Sequence, residues 1–159
     1  MTADAAPPGE QDAALLAALR AMWEAADPPP ADLADRMVLA VQLERLDAEL
    51  LRLTEELLEP AGARSEDPAR TLTFSHESVS VMVTITPLGH RFRLDGWVAP
   101  SSGGLLQLRR PDGSVVGTSV DDDGRFVLGD VPSGLVQLVY QPGPDGPLVR
   151  AVAAPPVRL

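Results

Sequence analysis

Val79-Ser80-Val81-Met82-Val83-Thr84-Ile85-Thr86 is the stretch of sequence that decides the fold. Valine or isoleucine occupies every second position, and this period of two is the pattern of a half-buried β-strand. Further strand-like segments follow at short intervals, separated by turns such as Pro111-Asp112-Gly113. These segments cover residues 91–98, 105–109, 114–120, 125–128, 135–141 and 148–153. The spacing predicts an antiparallel β-sandwich over residues 71–159, so that the chain is mainly β.

The sequence before this sandwich predicts an N-terminal α segment. Residues 1–10 are rich in Ala, Pro and Gly and are expected to be a disordered tail, and residues 61–70 form a polar linker. Residues 11–60 between them are expected to be an acidic helical arm of two helices. The first spans residues 12–26 and stops before three consecutive prolines. The second, over residues 31–59, is predicted to be long and amphipathic.

A regular series of leucines marks one side of the predicted second helix. The series follows a 4-3-4-3-4 spacing and consists of Leu39, Leu43, Leu46, Leu50, Leu53 and Leu57. This spacing would place all six on a single seam. One interpretation is that the seam packs within its own domain or against an identical chain. The other is that it docks onto a different protein, with Trp23 either packed on the long helix or exposed as a binding hot spot.

The charge of the chain is concentrated on the helical arm. Residues 1–70 carry 15 Asp or Glu and 6 Arg, whereas residues 71–159 carry 8 and 7. An acidic arm is a poor binder of nucleic acid and a plausible binder of a basic protein surface. On that hypothesis the leucines anchor a partner protein, and Glu44, Asp47 and Glu49 steer it into place.

The residues that carry chemistry form no recognisable catalytic pattern. The chain has no cysteine, which excludes disulfides, thiolate zinc sites and a cysteine nucleophile. The carboxylates of Asp121–Asp123 and Asp130 are candidate calcium ligands, and the alternative is a hairpin turn at Asp123-Gly124 with solvated carboxylates. His76 and His90 are candidate zinc ligands, and the alternative is two surface histidines. We expect neither metal, no cofactor and no enzyme activity. No apolar run is long enough to span a membrane and no signal peptide precedes the helices, so the expected location is the cytoplasm.

Three short motifs in the β region resemble a known family. They are Gly96-Trp97-Val98, the run Val120-Asp121-Asp122-Asp123-Gly124-Arg125-Phe126, and Asp130-Val131-Pro132-Ser133-Gly134. Together they are similar to the carboxypeptidase regulatory-like, or transthyretin-like, β-sandwich. The resemblance implies a prealbumin-like binding fold without an active site. We separately expect Trp97, beside Gly96, to be an anchor of the sandwich core.

The whole layout resembles a group of actinobacterial proteins that are encoded beside extracytoplasmic-function sigma factors. The segments that carry this resemblance are Leu46-Asp47-Ala48-Glu49-Leu50 and Ala69-Arg70-Thr71-Leu72-Thr73-Phe74. It implies an anti-sigma-like regulator, without zinc, that binds a sigma factor through its acidic arm. The alternative is a structural protein that forms a homodimer through the leucine seam and displays the sandwich.

Overall fold

The computed structural model describes residues 9–58, 68–77, 79–100, 103–145, 148 and 150–159. The chain divides into two units, Met1–Leu33 and Ala34–Leu159. The helices of the described residues are α1 (Glu10–Ala26) and α2 (Leu33–Glu44). The strands are β1 (Glu49–Leu50), β2 (Arg52–Leu58), β3 (Arg70–His76), β4 (Val79–Leu88), β5 (Arg91–Ala99), β6 (Gly104–Arg109), β7 (Val115–Val120), β8 (Arg125–Pro132), β9 (Leu135–Pro142), β10 (Val152–Ala153) and β11 (Val157–Arg158). The chain is therefore mainly β, as the sequence predicts, and the described residues also contain two helices.

Local hydrogen bonds and the following prolines define the two ends of helix α1. At its start the Asp12 carboxylate accepts a hydrogen bond from the backbone N–H of Gly9, at 3.2 Å. At its end the N–H of Asp27 donates to the carbonyl of Trp23 at 2.8 Å. The prolines at 28–30 follow directly and cannot continue the helical hydrogen-bond ladder. The predicted first helix is confirmed. Residues 1–8 of the predicted tail lie outside the described residues, and Glu10, the last residue of that tail, is the first residue of α1.

The predicted long second helix is wrong, because α2 ends at Glu44. A turn follows, in which the N–H of Leu46 donates to the carbonyl of Leu43 and Asp47 has a φ of 47°. This left-handed conformation stops a right-handed helix, and aspartate tolerates it better than most residues. The chain then continues as strands β1 and β2. Residues 49–58, assigned from the sequence to the helical arm, belong to the β-structure.

The first sheet, sheet I, has the strand order β2-β3-β4-β5-β8 and is antiparallel throughout. The predicted half-buried strand at residues 79–86 lies in β4, where every odd-numbered residue from Val79 to Ile85 is buried. The predicted alternation is confirmed there. Of the predicted linker, residues 61–67 lie outside the described residues and β3 starts at Arg70.

The second sheet, sheet II, has the strand order β1-β10-β9-β6-β7, and β11 also pairs with β9. Buried side chains of the two sheets share one core, to which Phe74 and Val83 contribute from sheet I and Leu138 and Tyr140 from sheet II. Six consecutive residues of β9 are buried. One face of β9 meets this core, and on the other face Val139 packs with Leu43 of α2. Helix α2 therefore covers sheet II on the side away from sheet I.

Segment 49–58 links the two sheets. Strand β1 pairs in parallel with β10 of sheet II, and β2 pairs with β3 of sheet I. Leu51, between them, is buried in the shared core, and its N–H donates to the carbonyl of Ala153 at 2.8 Å. Segment 49–58 therefore connects β10, near the C-terminal end of the chain, with the first strands of the chain.

A close approach between β5 and β8 requires glycine at position 96. Gly96 faces Phe126 in the strand register. A Cβ at position 96 would lie 2.7 Å from Cζ of Phe126 and 3.0 Å from Cα of Val83, and closer still to the carbonyl oxygen of Met82. Only a residue without a side chain fits here. This contact gives a physical reason for the glycine and the phenylalanine of the sequence motifs.

Candidate protein-interaction surfaces

Helix α1 presents an apolar stripe. Its large apolar side chains are Leu15, Leu16, Leu19, Met22 and Trp23, and all five are exposed. Trp23 is the most exposed, at 65%. The spacing of Leu15, Leu19, Met22 and Ala26 places these residues on one side of the helix, which is the arrangement of a helix that docks into a groove.

The polar residues of α1 give it a negative charge. Residues 10–27 contain four acidic residues and a single basic one, Arg20. By helical geometry Arg20 and Glu24 lie away from the stripe, as does Ala17, which is opposite Leu15 and Leu19. The helix thus combines an apolar contact surface with an acidic surround.

Helix α2 has two apolar faces with different surroundings. Leu39 and Leu43 lie on the buried face, and Leu39 has no exposed surface. On the opposite face Met37 and Val41 are each 61% exposed. They border a shallow depression of about 300 Å³, whose lining includes Val38, Gln42 and Arg45. The outer face of α2 is therefore an apolar surface of its own.

The predicted leucine seam does not exist as one face. Leu39 and Leu43 belong to the buried face of α2, and Leu46 is half-buried in the turn that follows. Leu50 lies on β1, and Leu53 and Leu57 lie on β2, where all three are exposed. The seam would have needed a helix that continued past Glu44. The observed strands leave no continuous helix along which a coiled coil could form over all six leucines.

The predicted steering carboxylates are equally dispersed. Glu44 is exposed at the end of α2. The Asp47 carboxylate lies 3.8 Å from the guanidinium of Arg150, and the Glu49 carboxylate lies 3.7 Å from Nδ1 of His76. Trp23 is the one residue of the predicted set on α1. The structure therefore brings the set together at no single site.

The predicted core position of Trp97 is wrong. Trp97 is 48% exposed on the outer face of sheet I. Its neighbours Leu94 and Val98 are buried, and the pleat of the strand turns Trp97 outward. It borders a shallow depression of about 310 Å³ whose lining includes Met82 and Arg125. The alternation of Leu94, Gly96 and Val98 was the signal for this orientation.

Charged groups on the same outer face are paired with each other. Arg93 donates two hydrogen bonds of 2.7 Å to the carboxylate of Asp95. The Asp95 hydrogen bond and charge raise the pKa of Arg93 above its ordinary value. Thr71 and Thr84, on adjacent strands, approach within 2.9 Å through their hydroxyls. These internal pairs make the face partly polar around Trp97.

The Asp121–Asp123 run forms a hairpin turn. The Asp121 carboxylate accepts a hydrogen bond of 2.7 Å from the N–H of Arg125, and the N–H of Gly124 donates to the carbonyl of Asp121. In the part of the chain that the structure describes, no three His, Asp or Glu side chains converge as a metal site. Within the same described ranges, no helix has the length and apolar character needed to cross a bilayer.

No protein family matches this chain, and no curated protein or solved structure shows significant similarity to it. The class that the structure defines is a mainly β protein in which two sheets share a core and a helix covers one of them.

Proposed function

We propose that this chain is a non-enzymatic regulator that binds another protein through helix α1. The observation that carries the proposal is the exposure of all five large apolar side chains of this 17-residue helix. Isolated helices of about this length are marginal in water and gain most of their stability from packing of the apolar face. A protein groove that accepts Leu15, Leu19, Met22 and Trp23 would supply that packing.

The charge of α1 favours a partner with a basic rim around its groove. Asp12, Glu24 and Asp27 would face such a rim and speed the encounter of the two proteins. DNA-binding proteins carry basic surface, and an acidic helix can mask it. We therefore propose an extracytoplasmic-function sigma factor as the partner, in line with the resemblance of the layout to anti-sigma-like proteins. The cytoplasm is the corresponding location.

The proposal includes the carboxypeptidase regulatory-like assignment of the β-sandwich. The contact between Gly96 and Phe126 supports it, because it couples two of the motifs on which the resemblance depends. On this proposal the sandwich is a scaffold that carries α1. The apolar outer face of α2 is a separate surface, and the proposal for α1 does not depend on it.

The experiment is a titration of the full-length chain against purified extracytoplasmic-function sigma factors of its own organism. Calorimetry would compare the wild type with Trp23→Ala and Leu19→Glu. Truncation of a central tryptophan in an interface costs about 2 kcal/mol or more, which is roughly a thirtyfold rise in Kd. Ala17→Glu adds the same charge to the opposite side of α1 and is expected to leave Kd within about threefold of the wild type, because it lies outside the interface.

Each result has a distinct meaning. If no sigma factor binds the wild type, the proposed partner class is overturned. If a sigma factor binds and Leu19→Glu binds as tightly as Ala17→Glu, α1 is not the docking element. The association rate should also fall as salt is added, and a rate that is indifferent to ionic strength would remove the electrostatic part of the proposal.

A further inference from the structure

The edges of the two sheets differ in how they are protected against pairing with other strands. In sheet I the edge strand β2 carries Arg52, Glu55 and Glu56. The edge strand β8 ends in a proline and holds Asp130 at a φ of 57°. Charges, prolines and irregular backbone are the devices by which proteins block edge pairing. Both edges of sheet I are therefore protected.

Sheet II is protected at one edge. Strand β1 has only two residues, and Pro155 and Pro156 separate β10 from β11. The other edge is β7, whose sequence Val-Val-Gly-Thr-Ser-Val contains neither a charge nor a proline. Val115 is 48% exposed and Val116 43% exposed. Among the residues that the structure describes, no strand pairs with the outer side of β7, which is an edge rich in β-branched residues.

The hairpin between β6 and β7 shows which backbone groups of β7 point outward. The N–H of Arg110 donates to the carbonyl of Ser114 at 3.0 Å, so residues 110 and 114 form a hydrogen-bonded pair. Hydrogen-bonded and non-hydrogen-bonded pairs alternate along an antiparallel ladder. In the observed register the backbone groups of Val115, Gly117 and Ser119 therefore point away from β6.

Gly117 has no role in the isolated chain that requires glycine. A Cβ at this position would lie 3.5 Å from Cδ1 of Leu105 and 3.5 Å from the carbonyl oxygen of Leu106, which is ordinary contact. Its φ lies outside the left-handed region, in contrast to Gly113 at 85°. Glycine inside a strand weakens it and often marks a place where another backbone approaches closely.

We propose that β7 pairs antiparallel with β7 of a second copy of this chain, about a two-fold axis at Gly117. In that register Val115 lies opposite Ser119 of the second copy, Gly117 opposite Gly117, and Ser119 opposite Val115. Each of the three pairs exchanges two backbone hydrogen bonds, and sheet II becomes continuous across the dimer.

Charge favours a second copy in this orientation. Arg109 and Arg110 precede β7 with Asp112 in the turn, a net charge of +1, and Asp121–Asp123 follow β7 with Arg125, a net charge of −2. Antiparallel pairing places the arginine end of one strand beside the aspartate end of the other, whereas parallel pairing would place like ends together. Residues 49–159, which hold all the observed strands, carry 14 acidic and 10 basic residues, a net charge of −4, so the general repulsion between two copies of the β-structure is modest and is screened by salt.

A matched pair of double variants tests the register. Val115→Lys with Ser119→Lys places two lysines opposite each other at both ends of the dimer. Val115→Asp with Ser119→Lys places opposite charges there instead. Within one chain both positions are exposed, on one face of β7 and roughly 13 Å apart, so the two double variants perturb the monomer similarly.

Sedimentation equilibrium of the full-length chain is the measurement. The wild type is expected at twice the monomer mass of 16.8 kDa. The double-lysine variant should raise the dimer dissociation constant by roughly tenfold or more, and the Asp/Lys variant should stay within about threefold of the wild type. A wild type that is monomeric at submillimolar concentration overturns the proposal. So do two double variants that dissociate equally.

Gly117→Pro provides a test that does not depend on charge. The N–H of residue 117 points away from β6, so proline removes no hydrogen bond of the monomer but removes two at the two-fold axis. The expected result is a monomer with the urea midpoint of the isolated wild-type monomer. A Gly117→Pro chain that folds and remains dimeric would show that the two copies meet elsewhere.

Discussion

Truncation of Leu39 to alanine is expected to destabilise the isolated chain by about 2–5 kcal/mol. Leu39 has no exposed surface and lies one turn before Leu43, which packs on Val139 and Ala153 of sheet II. Loss of its transfer free energy alone amounts to about 1.5–3 kcal/mol, and the cavity left between helix and sheet adds to that cost. For a chain of this size the melting temperature should fall by roughly 5–15 °C.

The assay is urea unfolding of the full-length chain, followed by far-ultraviolet circular dichroism. Val41→Ala is the matched control, because Val41 lies on the opposite face of the same helix and is 61% exposed. Its midpoint should correspond to a change within about 0.5 kcal/mol of the wild type. The difference between the two variants measures burial on α2 directly, since both shorten an aliphatic side chain to alanine.

Equal midpoints for Leu39→Ala and Val41→Ala would refute this reasoning. Leu39 would then not be a core residue, and the interpretation of Leu39 as a partner-binding leucine would be favoured instead. A large loss for Val41→Ala alone would mean that the outer face of α2 is covered in solution.

Two further predictions concern the sandwich. Gly96→Ala should destabilise the chain by about 3 kcal/mol, the upper end of the range for overpacking, because the new methyl group meets backbone as well as Phe126. Gly129→Ala, where a Cβ meets nothing within 4 Å, should be neutral or slightly stabilising in the same urea assay. Asp112→Ala should be less stable than the wild type at neutral pH, because hydrogen bonds from Ser114 lower the pKa of the Asp112 carboxyl. This contribution is present above the unfolded-state pKa of about 3.9 and is lost as pH falls through the lower folded-state pKa, so urea midpoints of the two proteins should converge in strong acid.

The β-region was predictable because its signals are local. The alternation at residues 79–85 reports which side of β4 is buried, and the structure confirms it. Pro111-Asp112-Gly113 makes the predicted turn, with Gly113 at a φ of 85°. Such signals depend on the pleat of one strand or on the backbone conformation of one residue. A few consecutive residues are enough to specify either of these.

The second helix could not be assigned from leucine spacing, because its end depends on a distant part of the chain. Glu49 and Leu50 pair with Val152 and Ala153, about a hundred residues further on. Leucines spaced by three and four suit a helix, but Leu51 and Leu53 also alternate with Arg52 and Thr54 as in a strand. Pairing with a distant strand decides whether the helical or the strand-like pattern is realised, and this tertiary pairing overrides helix propensity. The aspartate at position 47, which adopts the left-handed conformation, is a local signal that the helix ends there.

The reassignment of residues 49–58 also changes the meaning of their charges. Glu55 and Glu56 contribute to the charge of the predicted acidic arm, but they lie on β2, at the edge of sheet I. There they keep other strands away, and Glu56 lies 3.8 Å from the guanidinium of Arg70 on the neighbouring strand. By contrast, the edge strand β7 of sheet II has no charged residue, whereas the edge strand β2 of sheet I has several. The acidic residues of α1 remain available to a partner, on the same helix as its exposed apolar stripe. Charge in this chain therefore serves two separate purposes, to prevent pairing at one sheet edge and to attract a protein to one helix.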